Sequence, residues 1–354
     1  MKKFLAFVMA ASMALSLAAC GGSSASTATS TTTEATSEAA ASTSGSKTDV
    51  AFVTDVGNID DQSFNQYTWQ GVQDFCSANS LNANYYRPTE DSDAARLEQM
   101  DNAVNDGAKS IVVAGYLFGK AIAEAQEKYP DVQFLALDVS ASDLGDKAPT
   151  ANTALITYKE EQAGYLAGYA AVYDGYKELG FLGGMAVPAV IRYGYGFVQG
   201  ADAAAKELGV KVDMNYSWQY GASFSASPEL QTMVSGWYEA GTEVVFACGG
   251  SMFASVAAAA GAADGKVVGV DVDQSPESDT VITSAMKGLA DSVQWALGKF
   301  YSNEFASIGG VGTSLGANEN AVGLPTATWS LTKWTVDEYN AMLKDIVDGK
   351  ITID

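Results

Sequence analysis

The chain has 354 residues, of which 47% are hydrophobic and 18% charged, a composition typical of globular proteins rather than of disordered or fibrous ones. Its formal net charge of -22 at pH 7 disfavours binding of nucleic acid or anionic lipid through the surface field. The sequence has no histidine, which excludes Ser-His-Asp catalysis and histidine metal sites. Its three cysteines, at positions 20, 76 and 248, lack Cys-x-x-Cys spacing and predict no disulfide framework or metal cluster. We therefore expect neither a metal nor a cofactor.

The first twenty residues are typical of an export signal. Two lysines precede a nearly unbroken apolar run over residues 4–17, which is shorter than the about 20 residues of a membrane-spanning helix. The run ends in Leu-Ala-Ala-Cys at residues 17–20, followed by two glycines, a pattern similar to the lipobox of bacterial lipoproteins. The resemblance implies that residues 1–19 are removed and that Cys20 is lipidated. A secretory signal cut after residue 19, with an incidental Cys20, is the alternative.

Residues 20–48 are predicted to be a flexible linker. Between residues 21 and 47 most side chains are Ser, Thr, Ala or Gly, and no aliphatic residue is larger than alanine. Such a segment cannot bury enough apolar surface to offset the entropy lost on ordering. A lipid anchor followed by this tether predicts a folded domain at the outer face of the cytoplasmic membrane.

From residue 50 onward, short apolar runs alternate with amphipathic stretches. The periodicity predicts strands at residues 50–54, 83–87, 110–114 and 133–137, and helices at residues 63–79, 93–107 and 119–128. This alternation predicts a parallel sheet with right-handed crossovers. Ligands of such sheets bind outside the carboxyl ends of the strands.

The same alternation returns in the second half of the chain. Helices are predicted at residues 160–172, 197–208, 230–241 and 254–263, and strands at residues 179–183, 210–218, 244–247 and 267–270. The fold class is therefore α/β with two lobes, an N-terminal lobe of residues 49–155 plus about 288–325 and a C-terminal lobe of residues 156–287 plus about 326–354. Two such lobes enclose a cleft, the layout of exported solute-binding proteins, which close on a ligand by hinge motion.

Three motifs make the functional interpretation more specific. Residues 53–66 are Val-Thr-Asp-Val-Gly-Asn-Ile-Asp-Asp-Gln-Ser-Phe-Asn-Gln, residues 161–169 are Glu-Gln-Ala-Gly-Tyr-Leu-Ala-Gly-Tyr, and residues 269–274 are Gly-Val-Asp-Val-Asp-Gln. The chain thereby resembles, over about residues 49–325, the basic membrane protein family of lipoproteins, nucleoside-binding subunits of ABC transporters. The resemblance implies a type I periplasmic-binding-protein fold, a nucleoside ligand, and permease and ATPase partners. We expect a monomer that catalyses no reaction.

The first motif supplies candidate ligand contacts at the base. By resemblance, Phe64 is a stacking platform for the base and Asn65 a hydrogen-bonding partner of base or ribose. Asp55 follows the first strand, where its carboxylate can accept from base N–H groups; a turn or cap role is the alternative. The alternative for Phe64 is the core. For Asp60 and Asp61, directly before the helix, we favour a turn or cap role.

Further candidates come from later strand ends. Asp138 closes the fourth strand and is either a ligand contact or a cap. Phe224 is the candidate for the second ring around the base, with hinge packing as the alternative. Gly249 and Gly250 follow a strand and allow close backbone approach. The next residues, Ser-Met-Phe at 251–253, depart from the family pattern rich in Gly, Thr and Asn, which keeps a sugar or other small polar solute open as an alternative ligand.

The sugar end is predicted at Asp271 and Lys287. A carboxylate accepts from two vicinal hydroxyls and an ammonium donates to their oxygens, so this pair suits a ribose diol. The alternative is a structural salt bridge across the hinge. Paired carboxylates at Asp271 and Asp273 also suggest a nucleoside-cleaving enzyme, which we do not favour. Tyr193 and Phe197 are further aromatic candidates, with a core role favoured for Phe197.

We expect Cys20→Ser to leave the folded domain intact and to release it from the membrane, because the acylated thiol is the predicted hydrophobic anchor once residues 1–19 are removed. Fractionation of cells expressing the wild type or the variant, with a high-salt wash, checks this. A variant that still sediments with membranes has another anchor, and the lipobox interpretation then fails.

Overall fold

The computed structural model describes residues 47–55, 57–217 and 224–354. The predicted signal of residues 1–19, Cys20 and the linker up to residue 46 lie outside these ranges. Within them the chain forms two six-stranded sheets, each flanked by helices. None of the helices described there combines the length and the apolar character needed to span a bilayer.

Twelve strands in the described ranges build the two sheets. In chain order they are β1 (Val50–Val53), β2 (Ala83–Tyr86), β3 (Ser110–Ala114), β4 (Gln133–Leu137), β5 (Thr153–Tyr158), β6 (Glu178–Gly183), β7 (Asp213–Ser217), β8 (Val244–Cys248), β9 (Lys266–Asp271), β10 (Val281–Lys287), β11 (Gly312–Leu315) and β12 (Val322–Gly323). The order is β11-β5-β4-β3-β1-β2 in one sheet and β12-β10-β9-β8-β6-β7 in the other. Only β12 runs antiparallel to its neighbour. The strands β1, β3 and β8 are buried along their whole length, as expected for parallel strands covered on both faces.

Nine α-helices in the same ranges cover the sheets. They are α1 (Phe64–Asn79), α2 (Asp93–Asn105), α3 (Gly119–Lys128), α4 (Glu160–Asp174), α5 (Pro188–Leu208), α6 (Pro228–Glu239), α7 (Phe253–Ala263), α8 (Leu289–Tyr301) and α9 (Val336–Val347). The helix predicted at residues 197–208 is wrong at its start, because α5 begins at Pro188. Proline fits the first turn of a helix, where its missing N–H is not needed.

The chain crosses between the two lobes three times. The first lobe contains the sheet of β1–β5 and β11, the second that of β6–β10 and β12. The crossings follow β5, follow β10 and lie between β11 and β12. The predicted boundary after residue 155 is wrong, because Thr153–Tyr158 is one strand paired with both β4 and β11. The predicted first-lobe segment 288–325 also contains β12, which pairs with β10 of the second lobe.

α4 and α5 cross at close range because each carries a Gly-x-x-x-Gly sequence. A Cβ atom on Gly164 or Gly168 of α4 would collide with a backbone oxygen of α5. A Cβ atom on Gly196 or Gly200 of α5 would collide with a backbone oxygen of α4. The absence of these four side chains lets the two backbones touch, which holds the start of α4 against α5.

We expect Gly168→Ala to lower the free energy of unfolding by about 1–3 kcal/mol, because the added methyl group overpacks this crossing. Gly298→Ala, in α8, is the matched control, since a Cβ atom there meets nothing within 4 Å. Alanine's higher helix propensity should make that control more stable by about 0.5–1 kcal/mol. Urea denaturation of both variants measures these changes in the free energy of unfolding. A Gly168→Ala protein as stable as the control would contradict the close crossing.

Candidate ligand-binding site

A cavity of about 800 Å³, counting the part that opens to solvent, lies between the two lobes at the carboxyl ends of their strands. Its wall combines aromatic rings with a few charged and polar side chains, a lining typical of small-ligand sites. The nine ligand-binding residues selected from the sequence all line it: Asp55, Phe64, Asn65, Asp138, Phe224, Gly249, Gly250, Asp271 and Lys287. The structure therefore brings the candidates together, while their contact with a ligand stays a prediction.

Two aspartates occupy corresponding places in the two lobes. Asp138 directly follows β4, and Asp271 ends β9, the strand at the same position in the other sheet. Both have left-handed backbone conformations, with φ of 57° and 66°. Such conformations are uncommon for non-glycine residues, and they often occur at functional sites. Here they place a carboxylate from each lobe at the cavity wall.

The ammonium group of Lys287 is buried between carboxylates at this wall. Its Nζ atom lies 2.8 Å from Asp138 Oδ2, 3.3 Å from Glu160 Oε1 and 3.7 Å from Asp271 Oδ1. Burial alone would lower the pKa of Lys287, but the three carboxylates outweigh it and raise that pKa. Lys287 is therefore charged, although its side chain is only 2% exposed.

The predicted pair of Lys287 and Asp271 is present at 3.7 Å, but Asp138 and Glu160 are closer to the ammonium. Asp271 has other partners: its Oδ2 accepts a 2.6 Å hydrogen bond from Ser63 Oγ, and its Oδ1 a 3.4 Å bond from Tyr193 OH. Ser63 precedes α1 of the first lobe, so this contact spans the cleft. The interlobe salt bridge joins Lys287 to Asp138 instead.

Aromatic rings surround the same ammonium. Nζ of Lys287 lies 4.8 Å from the ring centre of Phe64, 5.1 Å from that of Tyr158 and 5.7 Å from that of Tyr193. These distances suit cation–π attraction. Tyr193 also lines the cavity, whereas Phe197 is fully buried in the core, as favoured from the sequence. Lys287 thus links the ring of Phe64 to the polar end of the cavity.

Glu160 is a member of the charge cluster that the sequence did not reveal. It is fully buried, and its Oε2 atom accepts a 2.6 Å hydrogen bond from Arg192 Nε of α5. Burial raises the pKa of Glu160 to about 7, with Asp138 adding to the rise and Lys287 and Arg192 opposing it. An acid in the first turn of a helix is common on exposed surfaces, so only the close crossing of α4 and α5 could have indicated its burial.

Asp61 organises the start of α1. Its Oδ1 accepts from the backbone N–H groups of Ser63 and Gln66, and its Oδ2 from the N–H of Asn65, each at 3.0 Å. This is the cap role favoured from the sequence, although Asp61 also lines the cavity. Burial raises the pKa of Asp61 to about 6, and these N–H groups oppose the rise.

The ring of Phe224 is held by backbone contacts. A Cβ atom on Gly184 or Gly249 would collide with the ring, so it lies directly against both glycines. The carbonyl oxygen of Phe224 accepts from the backbone N–H of Met252 at 3.1 Å and from Ser251 Oγ at 3.3 Å. Residues 251–253, which depart from the family pattern, therefore help to hold Phe224 in place. None of the three is among the residues that line the cavity.

Two buried oxygen atoms at the cavity have no hydrogen-bond partner among the described residues. They are Oδ1 of Asn65 and Oδ1 of Asp138. Buried polar atoms without partners are rare and costly. Both are acceptors, so the cavity suits a ligand rich in N–H and O–H donors.

The acid pair that suggested an enzyme is not assembled in the cavity. Asp271 lines it, but Asp273 is not among the lining residues. The carboxylate of Asp273 accepts from the N–H of Ser275 and from Thr328 Oγ1 instead. The described residues also contain no group of three or more acidic or cysteine side chains that could hold a metal ion.

The chain is similar to a defined family and to known relatives. A family model described as ABC transporter substrate-binding protein PnrA-like matches residues 48–354. The chain is 28% identical over 337 residues to the ABC transporter nucleoside-binding protein BmpA of Lactococcus lactis, covering 88% of this chain and 91% of that protein. It is 27% identical over 304 residues to basic membrane protein B of Borreliella burgdorferi, covering 80% of this chain and 83% of that protein.

Solved structures share the fold at lower sequence identity. An ABC transporter solute-binding protein from Aeropyrum pernix superposes with a TM-score of 0.69 at 20% identity, covering 86% of this chain and 87% of that one. An ABC transporter solute-binding protein from Conexibacter woesei superposes with a TM-score of 0.68 at 18% identity, covering 86% of this chain and 98% of that one. The predicted α/β solute-binding fold is thereby confirmed.

We expect the contribution of Glu160 to the free energy of unfolding to decrease as pH rises from about 4.5 to about 7. Its pKa is higher in the folded than in the unfolded chain, so between these values the folded state binds more protons, and raising the pH removes that advantage.

Glu160→Gln should remove this part of the pH dependence, measured as the free energy of unfolding in urea across the same pH range. Glu239→Gln, at the exposed end of α6, is the matched control and should leave the dependence unchanged. An identical slope in the wild type and in Glu160→Gln would show that Glu160 does not titrate in this range.

Proposed function

The chain belongs to the PnrA-like family of ABC transporter substrate-binding proteins, and we propose that it captures a nucleoside, such as a purine nucleoside, for uptake by an ABC transporter. The observation that carries this proposal is the pairing of rings in one cavity. Phe64, at the start of α1 in the first lobe, and Phe224, in the second lobe, both line it. The name of the Lactococcus lactis relative, a nucleoside-binding protein, supports the same ligand class.

The base is proposed to lie between Phe64 and Phe224. Stacking of a base on an aromatic side chain contributes about 1–3 kcal/mol per ring and tolerates different bases. Asp55 and Asn65 line the same cavity as Phe64, and the unpartnered Oδ1 atom of Asn65 would accept a hydrogen bond from the edge of the base. Gly249 leaves no room for a Cβ atom beside the Phe224 ring, and Gly250 has a left-handed φ of 47°, so both positions suit glycine and would let the backbone approach the ligand closely.

The ribose is proposed to lie at the charged end, near Asp138, Asp271 and Lys287. Asp138 Oδ1 is free to accept from a sugar hydroxyl. The ammonium of Lys287 has three N–H donors, and its closest contacts are with Asp138 and Glu160, so a third donor is available for a hydroxyl oxygen. A ligand without these hydroxyls would leave buried groups unpaired, which is the basis of strong discrimination.

Anchoring and delivery complete the proposal. Lipidation of Cys20 would hold the protein at the outer face of the cytoplasmic membrane, and residues 20–48 would let the lobes reach a permease that works with an ATPase. The protein would act as a monomer, bind no nucleic acid and catalyse no reaction. A sugar or other small polar solute is the alternative ligand, because the charged end of the cavity would also suit hydroxyl groups alone.

The test is titration calorimetry of the purified protein with nucleosides, free bases and monosaccharides. We expect nucleosides to bind best and Phe64→Ala to weaken that binding by about 1–3 kcal/mol through loss of one stack. Phe64→Leu, which keeps apolar bulk but no ring, should also bind more weakly than the wild type. Tight binding of a monosaccharide, with no nucleoside bound, would favour the alternative. Wild-type nucleoside affinity in Phe64→Ala would remove Phe64 from the site.

A further inference from the structure

The side-chain amide of Asn65 is fixed in one orientation by two carboxylates. Its Nδ2 atom donates to Asp55 Oδ1 at 3.2 Å and to Asp61 Oδ2 at 3.3 Å. The reverse orientation would place the amide oxygen against two carboxylate oxygens, which is repulsive. The Oδ1 atom is therefore the end left for the cavity, and it has no partner among the described residues.

The residues around this amide are closely packed. The backbone N–H of Gly57 donates to Asp55 Oδ1 at 2.7 Å, and a Cβ atom at Gly57 would lie 2.6 Å from that oxygen and 2.9 Å from Asn65 Nδ2. Asp61 in turn accepts three backbone N–H groups at the start of α1. The amide cannot turn without breaking contacts on both sides.

We propose that Asp61 is a positioning residue that sets ligand selectivity: together with Asp55 it makes Asn65 a hydrogen-bond acceptor, so that the cavity selects nucleosides whose base carries an N–H donor. This deepens the proposed function and rests on it. A base that offers only acceptors would face the unpaired Oδ1 atom of Asn65 and leave it buried without a partner. Unpaired buried polar groups cost about 1–3 kcal/mol, or roughly 5- to 150-fold in affinity.

Purine riboside is the discriminating probe, because its base has ring acceptors and no N–H donor. Inosine has the same sugar and differs by a 6-oxo group and an N1–H group, and adenosine differs by a 6-amino group. We expect the wild-type protein to bind inosine or adenosine about tenfold or more tightly than purine riboside. Equal affinities for all three would overturn the proposal while leaving nucleoside binding intact. Failure to bind any of them would instead contradict the proposed function.

Asp61→Asn tests the role of the carboxylate. An amide nitrogen next to Asn65 would repel Nδ2 and attract Oδ1, so that only Asp55 would still oppose the reversed amide, which presents a donor to the cavity. We expect the preference for inosine over purine riboside to fall at least threefold. Asp60→Asn is the matched control, since Asp60 is exposed and precedes Asp61 in the same turn; its preference should equal that of the wild type.

A double-mutant cycle separates positioning from a merely structural role. If Asp61 acts through Asn65, then Asp61→Asn should not change the ligand preference in an Asn65→Ala background, where the amide is absent. Urea denaturation of each variant identifies any that fails to fold, and Asn65→Ala by itself should also reduce the preference. The proposal would be overturned if Asp61→Asn lowered the affinity for all three ligands equally and left the preference among them unchanged.

Discussion

The buried ammonium of Lys287 is the constraint on which the arrangement of the two lobes depends. Lys287 ends the strand that returns the chain from the second lobe to the first, and its closest carboxylate belongs to Asp138 of the first lobe. A charge removed from water must be paired, and desolvation offsets most of the Coulomb gain of the pair. The cluster is therefore expected to fix the geometry of the hinge more than it stabilises the fold. Both lobes must stay close for Lys287 to keep its partners.

The close crossing of α4 and α5 is what supplies the rest of that cluster. The Gly-x-x-x-Gly sequences bring the two backbones together, so that Glu160 at the start of α4 meets Arg192 of α5. Glu160 then reaches Lys287 from behind the cavity. In this way a packing feature of the second lobe determines the electrostatics of the cavity between the lobes.

The sequence predicts much of this because parallel sheets have a strong local signal. Residues 110–114 and 133–137 form buried strands with the predicted bounds, since a continuous apolar run in a parallel sheet has few alternatives. The family resemblance read from residues 53–66 and 269–274 is confirmed by the family match. Glu160 was missed because its burial depends on contacts distant in sequence. The same reason explains the nearer partner of Lys287, which no spacing along the chain could indicate.

The lobes also touch at the rim of the cleft, where the contacts are weaker than those in its interior. There Gln62 Nε2 donates to Glu277 Oε2 at 2.6 Å, and Gln274 Nε2 donates to Gln62 O at 3.2 Å. The first of these bonds is exposed, and a typical intramolecular hydrogen bond contributes only about 0.5–1.5 kcal/mol. A base that stacks on rings from both lobes would add about 1–3 kcal/mol for each ring. Such stacking would exceed the rim contacts and would add to the buried interlobe contacts Ser63–Asp271 and Lys287–Asp138, which join the lobes in this structure.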